Sequence, residues 1–137
     1  MKKIGLISLA MLAALSLTVS AWAAERTFTV TMTGKAESPK GDSNGRGTAK
    51  IKIEASKGEL CYRLTWSNIG TPVAAHIHKG KKGTAGPVVI PLFAKAKHTG
   101  CVKASKSLLS KIVKSPASYY VNVHTQQFPG GAIRAQL

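Results

Sequence analysis

From Phe28 onward the chain alternates apolar and polar residues in short runs separated by turn residues. Phe28-Thr29-Val30-Thr31-Met32-Thr33 pairs apolar with hydroxyl positions, the period-two pattern of a half-buried strand. A Gly-, Asp-, Ser- and Asn-rich loop follows over 39–47. Residues 48–55 alternate again, with Ala49, Ile51 and Ile53 on one face and Lys50, Lys52 and Glu54 on the other. Lys57-Gly58 is a turn into 59–67, where Leu60, Tyr62, Leu64 and Trp66 share a side, so the two runs read as a hairpin. Residues 73–78 form a fourth strand and 79–86 a basic, Gly-rich loop without phosphate-loop spacing. The apolar run 88–93 contains Pro91, which fits an edge strand or a bend. A short extended piece begins at Cys101. Residues 105–114 put Leu108, Leu109, Ile112 and Val113 on one side, the one helical pattern. Residues 119–125 and 132–137 are the last strands, joined by Phe128-Pro129-Gly130-Gly131. Seven or eight short strands with one short helix predict an all-β fold, an antiparallel sandwich or barrel.

The first 23 residues follow a different pattern. Lys2 and Lys3 precede an apolar run from Ile4 to about Val19, then Ala21-Trp22-Ala23. That order matches a secretory signal peptide, with cleavage after Ala23 and a mature domain over 24–137. The alternative, a retained membrane anchor, needs roughly 20 apolar residues, and this run is shorter. The expected location is periplasmic or secreted.

Charge adds a constraint. The formal net charge is +15, and loss of Lys2 and Lys3 with the leader leaves +13. Glu25, Glu37, Asp42, Glu54 and Glu59 are the only acidic side chains, so the chain beyond Glu59 is purely basic. Such a field draws small anions, anionic polymers or a membrane surface. Nucleic acid fits less well, because few aromatic residues interleave with the lysines for base stacking. A solvated lysine-rich surface without a partner is the plain alternative. Two cysteines, Cys61 and Cys101, are the number for one disulfide in an oxidising compartment; a thiolate metal ligand is the other reading.

Three of the four histidines lie on predicted strands. His76 and His78 are two residues apart, which on a strand places both imidazoles on one face, about 7 Å apart along it. In the later strand Asn122 and His124 share a face while Val121 and Val123 take the other. The apolar sets face the core and the imidazoles face outward, giving a loop-covered site on the outer face of a sheet. Three imidazoles suit copper or zinc. No carboxylate lies near them in sequence, which disfavours a hard cation. His98, in a lysine-rich loop, is read as solvated. Tyr119 and Tyr120 are read as packing residues. In the alternative reading His76, His78 and His124 only hydrogen-bond loop carbonyls, and Arg134 is a sandwich-edge residue.

Ala75-His76-Ile77-His78, Gly86-Pro87-Val88-Val89, Pro91-Leu92, the segment 119–125 and the terminal Phe128-Pro129-Gly130-Gly131-Ala132-Ile133-Arg134-Ala135-Gln136-Leu137 resemble the chordin-type (CHRD) domain. Leu60-Cys61-Tyr62 and Gly100-Cys101 follow its pattern too. The resemblance implies an immunoglobulin-like sandwich and leaves the activity open. A more distant similarity runs to Cu/Zn superoxide dismutase, a Greek-key sandwich. It implies His76, His78 and His124 as copper ligands and Arg134 as the catalytic residue that guides the superoxide anion. The bridging His and the Asp of that family's zinc site have no counterpart, so one copper ion without zinc is expected. Gln126, Asn122 or backbone carbonyls would orient the imidazoles. Three functions follow as expectations: a copper-dependent dismutase, a copper carrier or buffer, and a basic extracellular interaction module.

Overall fold

The computed structural model describes residues 25–137. The expected leader and its cleavage site lie outside the described residues. Eight strands form: β1 (Glu25–Thr33), β2 (Arg46–Glu54), β3 (Glu59–Ser67), β4 (Pro72–Lys79), β5 (Val88–Phe93), β6 (Thr99–Lys103), β7 (Tyr119–Thr125) and β8 (Ile133–Gln136), with helix α1 (Lys106–Lys114) before β7. Every pairing is antiparallel, and the strand order is β5-β4-β7-β8-β1-β2-β3-β6. The sandwich is therefore one continuous sheet folded over its own core, nearly closed into a barrel, rather than two separate sheets. Its free edges, β5 and β6, approach each other. Phe93 at the end of β5 meets Tyr62 and Trp66 of β3, with ring centroids at 6.3 and 6.1 Å.

Period-two alternation explains most of the core. Ala49, Ile51, Ile53, Leu60, Leu64, Ala75, Ile77, Val121, Val123 and Ile133 are fully buried, each flanked along its strand by a residue on the opposite face. Gly58, at φ 63°, supplies the left-handed turn of the β2–β3 hairpin. Helix α1 starts where the Ser105 hydroxyl accepts the Leu108 N–H. It buries Leu109, Ile112 and Val113 against β2, β3 and the turn 55–57. At its other end Arg26 donates to the Val113 carbonyl at 2.9 Å, satisfying one of the open carbonyls there. Cys61 and Cys101 lie directly opposite each other on β3 and β6 and are joined in a disulfide that ties edge strand β6 to the sheet. The disulfide thus decides between the two readings of the cysteines.

His98 departs from its solvated reading. Its side chain is exposed, yet it stacks on Trp66 at 3.9 Å and donates from Nδ1 to the Leu64 carbonyl at 2.9 Å. The Leu64 N–H returns a bond to the His98 carbonyl. Together these bonds extend the β3–β6 ladder past the end of β6.

Candidate metal centre

The register of β4, β7 and β8 builds the site. Ala74 pairs with His124, His76 with Asn122, and His78 with Tyr120; Asn122 in turn pairs with Arg134 and Tyr120 with Gln136. Since Ala75, Ile77, Val121 and Val123 point into the core, all these partners stand on the outer face. Most of that face is closed to water. Loops 34–45, 80–87 and 126–132 lie over it, and every residue of β7 is buried. The glycines make the cover possible. A Cβ on Gly86 would collide with the Lys79 carbonyl, and one on Gly131, at φ 128°, would collide with the Glu37 carboxylate.

His76, His78 and His124 converge, with one ring nitrogen from each lying within 4.8 Å of the others. Their tautomers follow from their hydrogen bonds. His78 Nδ1 lies 2.8 Å from the Gly86 carbonyl and must carry a hydrogen; His124 Nδ1 does the same at 2.9 Å to the Pro129 carbonyl. In the neutral rings both Nε2 atoms are then lone pairs. His124 Nε2 accepts from His76 Nδ1 at 3.0 Å, whereas His78 Nε2 is buried with no partner. Burial pushes the His76 imidazolium down to about 4, with the neighbouring His124 and His78 adding to the effect. Burial also lowers His124, opposed by its bond to the Pro129 carbonyl. Burial thereby favours the neutral forms of His76 and His124, the state in which imidazoles bind metal.

The bonds to two loop carbonyls use Nδ1 of His78 and of His124 and leave the His78 Nε2 lone pair without a donor. A buried acceptor left without a donor costs about 1–3 kcal/mol, and His78 Nε2 is such an acceptor. A cation there would remove the cost, and moving the His76 proton from Nδ1 to Nε2 would free His76 Nδ1 and His124 Nε2 as the other two donors. The donors are all nitrogen. The other cluster of candidate ligands among the described residues, Glu59 with Cys61 and Cys101, has its sulfurs joined to each other.

Arg134 stands beside the cluster in a different condition from an open anion guide. It is 1% exposed. Its guanidinium donates to the Thr84 carbonyl at 2.6 Å and the Lys81 carbonyl at 2.9 Å. It also lies over Tyr120, 3.3 Å from the ring centroid. His78 stacks on Tyr120 at 4.7 Å, nearly parallel. Two groups this close cannot share one face of a ring, so Tyr120 is sandwiched between the imidazole from β4 and the guanidinium from β8. The Tyr120 hydroxyl completes the strap by accepting the Gly86 N–H at 3.1 Å. Arg134 thus pins the loop whose Gly86 carbonyl orients His78. Arg134→Lys, which loses the planar fork, is expected to lower stability by about 2 kcal/mol in urea unfolding. Amide exchange in 80–87 should speed up with it; unchanged exchange there would exclude the pinning role.

Among the orienting groups, two backbone carbonyls act, as expected, while Gln126 is exposed and does not. Glu37 was not legible in the sequence. It is 5% exposed, inside the Gly-rich loop after β1, and burial pushes its carboxyl up to about 7 despite nearby Arg134. Its Oε1 and both polar atoms of Asn122 have no hydrogen-bond partner. The only local hint is Gly131, whose missing side chain leaves the carboxyl its space.

With this geometry in place, residues 28–137 match the family described as the CHRD domain. The chain belongs to the CHRD-domain family. The match covers all strands except the first three residues of β1, and so includes the whole histidine cluster with its covering loops. No curated protein and no solved structure matches the chain significantly.

Proposed function

We propose that this CHRD-domain chain is an exported copper-binding protein in which His76, His78 and His124 hold one ion. The observation that carries the reading is the buried, unpartnered Nε2 of His78, facing two further imidazole nitrogens. An all-nitrogen donor set ranks Cu²⁺ above the other divalent first-row ions, zinc included. Copper would supply one-electron chemistry between its two oxidation states. The chain's own residues favour neutral His76 and His124, fix two tautomers through Gly86 and Pro129, and cover most of the site with three loops. Copper titration followed by electron paramagnetic resonance tests this: one equivalent with nitrogen hyperfine structure is expected. Unchanged affinity in both His76→Ala and His124→Ala would remove the proposal. Export is tested by N-terminal sequencing of the protein from its native compartment, where an intact Met1 would refute it.

Superoxide dismutase activity is the second reading, favoured by the partial exposure of His76 and the strong positive field. With Arg134 committed to loop carbonyls, attraction of the anion falls to the exposed Lys81 and Lys82 of the covering loop. Superoxide consumption by the copper-loaded protein, slowed by Lys81→Glu/Lys82→Glu and by added salt, separates an enzyme from a copper carrier.

A further inference from the structure

In the nearly closed ring of eight strands, β2 and β3 stand four places from β4 and β7, across the barrel from the histidines. Their outer face is uncovered and has a regular composition. Register places Thr27, Lys52, Cys61 and Cys101 in one rank across β1, β2, β3 and β6; Thr29, Lys50, Arg63 and Thr99 form the next, and Thr31, Thr48 and Thr65 the third. The third rank ends in a 2.7 Å hydroxyl pair between Thr48 and Thr65. Adjacent ranks lie about 7 Å apart and adjacent strands about 4.8 Å apart, so the face is a grid of hydroxyls and cations.

The acidic side chains of this face fall at one edge. Glu25, Glu54 and Glu59 pair in a single rank, and each is engaged by lysine: the first two by Lys52, Glu54 also by Lys57, and Glu59 by Lys103. Lys50 and Arg63, side by side in the middle, are exposed and have no ion-pair partner among the described residues. With Lys52 they border a depression of about 210 Å³ above Cys61 and Tyr62.

We infer that this face binds a linear polysaccharide bearing sulfate or carboxylate groups. One charged group of the polymer would sit in the depression between Lys50 and Arg63, where a guanidinium offers paired donors to such an anion. The threonine ranks offer hydroxyls, donors and acceptors at once, to the sugar hydroxyls on either side. The face carries nothing that enters a lipid bilayer: the exposed large apolar residues, Val73 and Val88, are on β4 and β5. It also presents no exposed aromatic ring on which a nucleobase could stack.

The test is binding of the purified protein to immobilised heparin and polygalacturonate at several salt concentrations. Lys50→Glu/Arg63→Glu is compared with Lys111→Glu/Lys114→Glu, an equal charge change on α1. Salt-sensitive binding to at least one polymer is expected, weakened about tenfold or more by the first pair and less than about threefold by the second. Circular dichroism monitors folding; if the glutamate pair does not fold, Lys50→Gln/Arg63→Gln replaces it, with a loss of about threefold or more expected. Equal losses from the β-face and helix pairs, or no binding to either polymer at low salt, would overturn the inference. So would tighter binding of phosphatidylglycerol vesicles or single-stranded DNA through Lys50 and Arg63. Copper binding should be unchanged in the β-face variants, which keeps this result independent of the histidine site.

Discussion

His78→Phe is expected to weaken copper binding by roughly 1000-fold, about 4 kcal/mol, while leaving the metal-free fold within about 1 kcal/mol of wild type. The two halves of this expectation have separate causes. Phenylalanine keeps a flat ring where His78 stacks on Tyr120, so the sandwich with Arg134 is retained. It removes Nδ1, which costs the 2.8 Å bond to the Gly86 carbonyl. It also removes Nε2, the buried nitrogen without a partner, which relieves a cost of similar size. For the metal only the loss counts. One of three donors disappears, a larger change than the 10- to 100-fold effect typical of losing an outer partner of a ligand (roughly). Competition titration against a copper chelator measures the first half, and urea unfolding of chelator-treated protein the second. A variant that binds copper like wild type would exclude His78 from the site. One destabilised by several kcal/mol would show the histidine to be chiefly structural.

The two-residue spacing of His76 and His78 was enough to place them on one strand face, because backbone geometry fixes side-chain direction in an extended chain. His124 could be added because Val121 and Val123 mark the opposite face of β7 as core. The burial of Ala49, Ile51 and Ile53, alternating with Lys50 and Lys52, was legible for the same reason. What alternation does not encode is which loop folds over which face. Arg134 shows the consequence. Its position on β8 beside Asn122 follows from pairing, but its fate depends on the carbonyls of Lys81 and Thr84, some 50 residues away in sequence. An arginine on the outer face of a terminal strand reads as accessible; under a loop it becomes a clamp. Glu37 escaped for a related reason. It lies in a loop without periodicity, and its burial arises from the packing of 34–45 against Ala132 and Gly131.

Glu37→Gln is expected to make the metal-free protein more stable above pH 7, by up to about 3 kcal/mol, with little change near pH 4.5. Burial raises the Glu37 carboxyl from 4.5 to about 7, so the folded chain holds this proton where the unfolded chain has released it. The stability tied to that proton is complete below about 4.5 and is lost as pH rises through about 7. His76 works in the opposite direction. Its folded value falls from 6.5 to about 4, so its contribution is complete above 6.5 and is lost as pH falls through about 4. His124 is shifted the same way as His76. The windows overlap, so the Glu37 slope offsets part of the histidine slopes and flattens the wild-type curve between about 5 and 6.5. Glutamine has the shape of the protonated acid, carries no charge, and stays beside the Asn122 side chain. The variant therefore loses the Glu37 slope and keeps the histidine slope. Urea midpoints at pH 4.5, 5.5, 6.5 and 7.5 should rise more steeply in the variant than in wild type. Parallel curves for the two proteins would mean that Glu37 ionises in the fold as it does in the open chain, and that its burial beside Arg134 carries no linkage to pH.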